Sequence, residues 1–225
     1  MTEEARPVDG AKWGAWVHGG AERLDSLGRS WTVFARNTDE LLEVLDRPNN
    51  DVAFSMVLMG DDRDAIGPFW SEVDQRLHNA LASAVSLVDH TRPLLEYLGS
   101  DVPAIVSEYT ERNAKIMAMN ETKFLRKLRN YLLHYGSAPI LQSISLNSSH
   151  HSLKLNAARL LEWSEWNVQM REYLSGFGDN DGPLLREDVA TYARAMYEMF
   201  SWLFGQRVSI FNDPDVLERF RIDAP

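Results

Sequence analysis

The sequence predicts an all-α fold, an antiparallel helical bundle with long helices and a small β-hairpin insertion. Apolar residues recur at steps of three and four through most of the chain after residue 67, as on the buried face of a helix. Glycine and proline separate these stretches and are typical helix stops. One short stretch alternates polar and apolar residues instead, which is the pattern of a strand pair.

Residues 1–60 are predicted to be an N-terminal segment of irregular structure and short elements that packs on the body, residues 61–225. Residues 1–30 mix glycine, proline and polar residues without a clear period. Residues 30–37 resemble a short strand, and residues 38–48 a short helix with Thr38 as its N-cap. Residues 50–60 fit either a strand or a buried helix, and we favour a helix.

Two long helices come next. The first, over residues 67–98, carries one apolar stripe that includes Val73, Leu77 and Leu81. The second has Ser100 or Asp101 as its N-cap and continues to Tyr135. The stop signals after the two helices are Gly99, Gly136 and Pro139.

In the C-terminal third, the residue pattern predicts a hairpin over residues 139–155, followed by helices over 156–178 and 181–205. His150 and His151 are adjacent, so on a hairpin they point to opposite faces and cannot chelate one metal together. We interpret them as part of a solvated turn. The buried stripe of the last helix is predicted to contain Val189, Tyr192, Met196, Phe200 and Leu203.

Composition excludes several classes of protein. The 225 residues are 44% hydrophobic and include no cysteine, so a sizeable core is expected, disulfides and cysteine nucleophiles are excluded, and the cytoplasm is the expected compartment. No segment has the roughly 20 apolar residues of a membrane span, so no membrane association is expected. A net charge of -10 argues against a DNA-coating protein, because broad phosphate binding needs a basic surface.

Basic residues nevertheless concentrate in the second long helix. Four of the seven residues from 123 to 129 are basic, and at roughly 100° per residue they share one broad face with two further polar side chains. The helix dipole favours cations only in about the last turn, so it does not explain Lys123 or Arg126. Leu133 is the apolar exception on this face, which predicts that another helix or a second copy of the chain covers it. The polar face consists of Lys123, Arg126, Lys127, Arg129, Asn130 and His134.

Residues 129–134, RNYLLH, match the Arg-x4-His signature of the HEPN superfamily (higher eukaryote and prokaryote nucleotide-binding domains). Arg129, Asn130 and His134 stand at the signature positions, and the chain therefore resembles this family of all-α bundles. Many members are metal-independent ribonucleases in toxin, anti-phage and CRISPR-associated systems, whereas others are non-catalytic binding or dimerisation modules. Tyr135 directly follows His134, which departs from the His-x-Tyr of the nucleotidyltransferase-linked branch.

The resemblance implies a homodimeric endoribonuclease, a toxin or phage-defence effector, in which two motifs meet at one site. RNA carries its own nucleophile, the 2′-OH, so cleavage to a cyclic phosphate needs no metal and no cofactor. His134 would transfer protons, Arg129 would bind the phosphate oxygens as their charge grows, and Asn130 would orient either group. The rest of the face would supply RNA contacts from Lys123, Arg126 and Lys127, and a dimer interface at Leu133.

The alternative is a HEPN-like module that binds a nucleotide, RNA or protein partner without cleaving. The acidic net charge and the lack of a second catalytic motif favour this alternative, whereas the intact motif favours the nuclease. An antitoxin or another protein partner fits either function. A His134 that was buried, or that capped its own helix, would argue against cleavage.

Overall fold

The computed structural model describes residues 10–60, 62–99, 101–145 and 150–211. These residues are mostly helical with one small two-stranded antiparallel sheet, which confirms the predicted helical class and the hairpin. The elements are α1 (Gly10–Asn50), α2 (Val52–Leu58), α3 (Arg63–Leu98), α4 (Pro103–Ala118), α5 (Asn120–His134), β1 (Ile140–Ser145), β2 (His150–Leu155), α6 (Ala157–Leu161), α7 (Val168–Ser175), α8 (Leu185–Gly205) and α9 (Arg207–Phe211).

Helix α1 is continuous over residues 10–50, so the irregular structure and short strand predicted for residues 10–37 are wrong. Glycines that suggested breaks allow close packing instead. A Cβ on Gly19 would lie 2.7 Å from the Tyr97 hydroxyl oxygen, and a Cβ on Gly20 would lie 2.8 Å from the Phe211 ring. The prediction for residues 1–9 lies outside the described residues.

The core joins α1 to the rest of the fold. Helix α1 packs along α3 and α8, and its buried residues belong to the same apolar cluster as those of α3. Arg47 of α1 and Glu72 of α3 form an ion pair at 2.8 Å, and Glu40 of α1 pairs with Arg76 of α3. Helix α1 therefore shares one core with α3 and α8, while the division of the chain into an N-terminal segment and a body at residue 60 stays a prediction.

Helix α3 confirms the first long helix, and Val73, Leu77 and Leu81 of the predicted stripe are buried. It ends at Gly99, whose φ of +40° is in the left-handed region that glycine adopts readily. The favoured helical interpretation of residues 50–60 is confirmed for α2.

The second long helix is not continuous, and its N-cap is Val102 and not the predicted Ser100 or Asp101, so its prediction is wrong at two points. Met119 has φ -64° and ψ 139°, an extended conformation that separates α4 from α5. Residues 118–121 contain neither glycine nor proline, and no side chain caps the start of α5. The usual sequence signals of a helix break are therefore missing at this point.

The remaining elements complete the scaffold around α5. Strands β1 and β2 pair from Ile140 opposite Leu155 to Ser145 opposite His150. The helix predicted over residues 156–178 is wrong as one element, because α6 and α7 are separated by residues 162–167. Helix α8 confirms the last predicted helix, and its stripe is buried as expected at Val189, Tyr192, Met196, Phe200 and Leu203.

Candidate functional site

Helix α5 is held in place by its apolar face. Phe124, Leu125, Leu128 and Tyr131 are buried, and the Phe124 ring stacks on the buried Trp166 with ring centroids 5.9 Å apart. Tyr135, which follows the last residue of α5, is 50% exposed and does not belong to this buried face. The packed face fixes the opposite, polar face of α5 in one orientation.

That polar face forms one wall of a cleft of about 300 Å³. Other walls come from Val85 of α3, Met117 of α4 and Asn167, the residue that caps α7 by accepting a hydrogen bond from the Met170 amide at 2.9 Å. The cleft is therefore formed by α3, α4, α5 and the residue before α7. The sequence had predicted only the part that α5 contributes. The predicted residues that line this basic cleft are Lys123, Arg126, Lys127, Arg129 and Asn130.

The basic cleft brings four cations, two lysines and two arginines, to one space. Among the residues that the structure describes, none of the four forms an ion pair with a carboxylate, although the whole chain has 33 acidic residues. Arg29, Arg159 and Arg194 also lack a carboxylate partner among the described residues, so it is the grouping of four such cations around one space that indicates a positive surface open to an anion from outside the chain. The described arginines that do pair with a carboxylate are Arg36, Arg47, Arg76, Arg92, Arg112, Arg186 and Arg207.

Arg129 has a further unmet requirement. Its Nε atom is buried and has no hydrogen-bond partner among the described residues. A buried donor without a partner costs about 1–3 kcal/mol, and such donors in native proteins call for a specific explanation. A phosphate in the basic cleft would supply an acceptor only after the Arg129 side chain turned this atom toward it.

His134 and Leu133 lie one turn beyond the basic cleft, at the exposed end of α5. His134 is exposed, and within the described part of the chain its ring forms no hydrogen bond or ion pair. Leu133 is 41% exposed. The structure therefore brings five of the six polar-face residues into one cleft and leaves His134 beside it, free to meet a ligand or a second chain.

The break at Met119 is what brings Met117 to the basic cleft. In an uninterrupted helix, residues 117 and 126 would lie about 13 Å apart along the axis. Instead, Arg126 Nη1 lies 3.1 Å from Met117 Sδ, a weak acceptor. Sequence reasoning missed Val85, Met117 and Asn167, because only tertiary packing places them opposite α5.

The hairpin histidines do point to opposite faces, but the solvated-turn interpretation is wrong for His151. His150 is exposed, whereas His151 is buried, and burial, followed by the charge of His150, lowers the pKa of His151. Gln142 Nε2 donates to His151 Nδ1 at 3.0 Å, so His151 Nε2 donates to Ser55 Oγ at 2.5 Å. The neutral ring thus ties the hairpin to α2.

Comparison of the chain with protein-family models, curated proteins and solved structures gives no match. Across the described ranges, no helix combines the length and apolar character needed to cross a membrane. The same ranges contain no group of three or more His, Asp or Glu side chains arranged to hold a metal ion. The basic cleft and the exposed end of α5 are therefore the candidate functional surfaces of the described residues.

Proposed function

We propose that this chain is a HEPN-like antiparallel helical bundle that cleaves RNA as a homodimer without a metal. The observation that carries the proposal is the basic cleft, in which four cations that have no carboxylate partner among the described residues face one space in a protein of net charge -10. RNA phosphates supply the negative charge that these cations lack. A cytoplasmic role as a toxin or phage-defence effector, held in check by an antitoxin, is part of the same proposal.

The chemistry assigned to the site uses the RNA's own nucleophile. The 2′-oxygen forms a bond to phosphorus, the bond from phosphorus to the 5′-oxygen breaks, and a cyclic phosphate results. One proton leaves the 2′-OH and another reaches the departing 5′-oxygen, and His134 would transfer protons of this kind. Arg129, with its unpartnered Nε, would bind the phosphate oxygens, and Asn130 would orient the phosphate or the imidazole.

A second protomer is needed because His134 does not line the basic cleft of its own chain. A two-fold contact through the exposed end of α5 would bury Leu133 and bring two motifs together. Lys123, Arg126 and Lys127 would then guide RNA toward the shared site.

Leu133→Glu is expected to raise the dissociation constant of the dimer at least about tenfold, since each two-fold contact would bury two carboxylates in place of two leucines. Light scattering across a protein concentration series measures the dissociation constant. Val52→Glu, at an exposed position on α2, is the matched control and should leave it unchanged. If Leu133→Glu dimerised like wild type, Leu133 would not lie in the dimer interface.

Cleavage of single-stranded RNA in the presence of a metal chelator tests the proposed reaction. Wild type should cut, and both Arg129→Ala and His134→Ala should lose the activity. Growth arrest on expression in bacteria gives a second readout of the same three proteins. Equal cleavage and equal growth for all three would overturn the nuclease.

One observation favours a second candidate, a HEPN-like module that binds RNA, a nucleotide or a protein partner without cutting. His134 lies outside the basic cleft of its own chain, so a monomer would hold RNA phosphates without placing the imidazole against them. RNA binding that is lost in Arg129→Ala, together with no cleavage by any of the three proteins, would support this alternative.

Both candidates predict a salt-dependent affinity for RNA. The double variant Lys123→Ala with Lys127→Ala should lower the slope of log K against log salt concentration by about 1.4, since each cation that neutralises a phosphate of a single strand contributes about 0.7. Fluorescence anisotropy of a labelled RNA at several salt concentrations measures this slope.

The matched control for the salt slope is Arg36→Ala with Lys115→Ala, which removes two exposed cations outside the basic cleft. Its slope should equal that of wild type. Equal slopes for both double variants would show that RNA does not bind at Lys123 and Lys127.

A further inference from the structure

An apolar pocket lies directly beside the basic cleft, where α3, α4, α5 and α8 meet. Val88, Ile116, Leu125 and Met196 contribute apolar walls, and Asn113 adds a polar group. The pocket has a volume of about 40 Å³ and is partly open to solvent. This volume holds only one or two water molecules, so a larger group would enter by one edge and keep the rest of its surface outside.

The pocket and the basic cleft share three wall residues, Val85, Met117 and Arg126. The contact between Arg126 Nη1 and Met117 Sδ stands at this boundary. A ligand that fills both spaces must therefore join an anionic group to an apolar group at short range. A nucleotide has this construction, because its phosphate and its flat base are parts of one unit.

The walls suit a base in three ways. Met117 and Met196 have flexible, polarisable side chains that adapt to a flat ligand. The planar guanidinium of Arg126 can stack on a π-face. The Asn113 amide can both donate to and accept from the edge of a base.

We propose that this pocket receives one nucleobase of the RNA whose phosphate occupies the basic cleft, an inference that rests on the proposed binding of RNA. Apolar burial and Arg126 stacking hold the face of the base, and Asn113 meets its edge. An apolar side chain of a bound peptide would fill the pocket but would leave the cations of the basic cleft without counter-charge. A nucleotide accounts for both the pocket and the basic cleft.

The test is the affinity of a heptamer of 2′-O-methyl RNA, which lacks the reactive 2′-OH and is not cut. An abasic nucleotide is moved through the heptamer one position at a time, and fluorescence anisotropy measures each affinity. Loss of one stacked base should lower the affinity at least about fivefold at one or two positions and change it little at the others. No binding of the intact heptamer by wild type would overturn the proposed RNA function itself, whereas equal affinities across all abasic positions would overturn the base pocket alone.

Two variants link the effect to the pocket. Val88 is half-buried and lines the pocket but not the basic cleft. Val88→Phe should therefore bind intact RNA only as tightly as wild type binds the RNA whose abasic position lowers affinity most, here called the sensitive abasic RNA. Val52→Phe, at an exposed position on α2, is the matched control and should bind like wild type. Asn113→Ala leaves the apolar walls intact. It should lower the affinity for intact RNA by a few-fold and leave the affinity for the sensitive abasic RNA unchanged. If Val88→Phe failed to fold in a thermal scan, the abasic series and Asn113→Ala would decide. A flat abasic series would overturn the pocket, and so would an Asn113→Ala protein that bound intact RNA like wild type.

Discussion

His134→Ala is expected to slow RNA cleavage by about 10²–10⁴-fold, the range that a positioned general acid or base contributes, while RNA affinity changes by less than about threefold. Affinity should be preserved because His134 lies outside the basic cleft. Stability should be preserved because its ring is exposed and forms no hydrogen bond with the described residues. Single-turnover cleavage of a labelled RNA, with the protein in excess, measures the chemical step apart from binding.

Arg129→Ala should behave differently from His134→Ala, because Arg129 lines the basic cleft and would contact the phosphate in both the bound and the reacting state. Its loss should weaken RNA binding as well as slow cleavage. His150→Ala, at an exposed histidine on the hairpin, is the matched control and should leave both quantities unchanged. A His134→Ala protein that cut at the wild-type rate would contradict the proposed reaction.

The polar face of α5 could be predicted from sequence because it depends on one helix. Helical periodicity alone relates Lys123 to Asn130 and places both opposite Phe124. The other walls of the basic cleft could not be predicted, because Val85 and Met117 lie 44 and 12 residues before Arg129 in the sequence and meet it only through packing.

The two largest errors in the predicted fold have physical reasons. Glycines at 19 and 20 have low helix propensity, but their contacts with Tyr97 and Phe211 explain why tertiary packing selects glycine there. The break at Met119 is the reverse case. No residue near it disfavours a helix, so we attribute its extended conformation to the packing of α4 against α5. Strongly periodic segments such as α3 and α8 were predicted well because their own apolar stripes suffice to define them.

A buried carboxylate lies at the contact between α8 and the motif helix. Asp188 is 9% exposed, and its Oδ2 atom has no hydrogen-bond partner among the described residues. Burial, then the charges of Glu121 on α5 and Glu187 on α8, raise the pKa of Asp188 to about 7. Its place in the first turn of α8 favours the ionised form by only about 0.3–1 kcal/mol. That is less than the roughly 4 kcal/mol that a rise from 3.8 to about 7 represents, so the proton stays on Asp188 up to neutral pH.

Asp188→Asn is therefore expected to raise the free energy of unfolding at pH 8.5 by up to roughly 4 kcal/mol, a gain that shrinks toward zero near pH 4. The folded chain keeps this proton up to about pH 7, whereas the unfolded chain releases it near its ordinary pKa of 3.8. Wild-type stability should thus fall as pH rises between these values, while asparagine stays neutral throughout. Urea unfolding of both proteins from pH 4 to 8.5 measures the difference, with Asp179→Asn at an exposed carboxylate as control. A difference independent of pH would contradict a protonated Asp188; a difference that grows with pH would mean that its ionisation opposes the packing of the helix that carries the basic cleft.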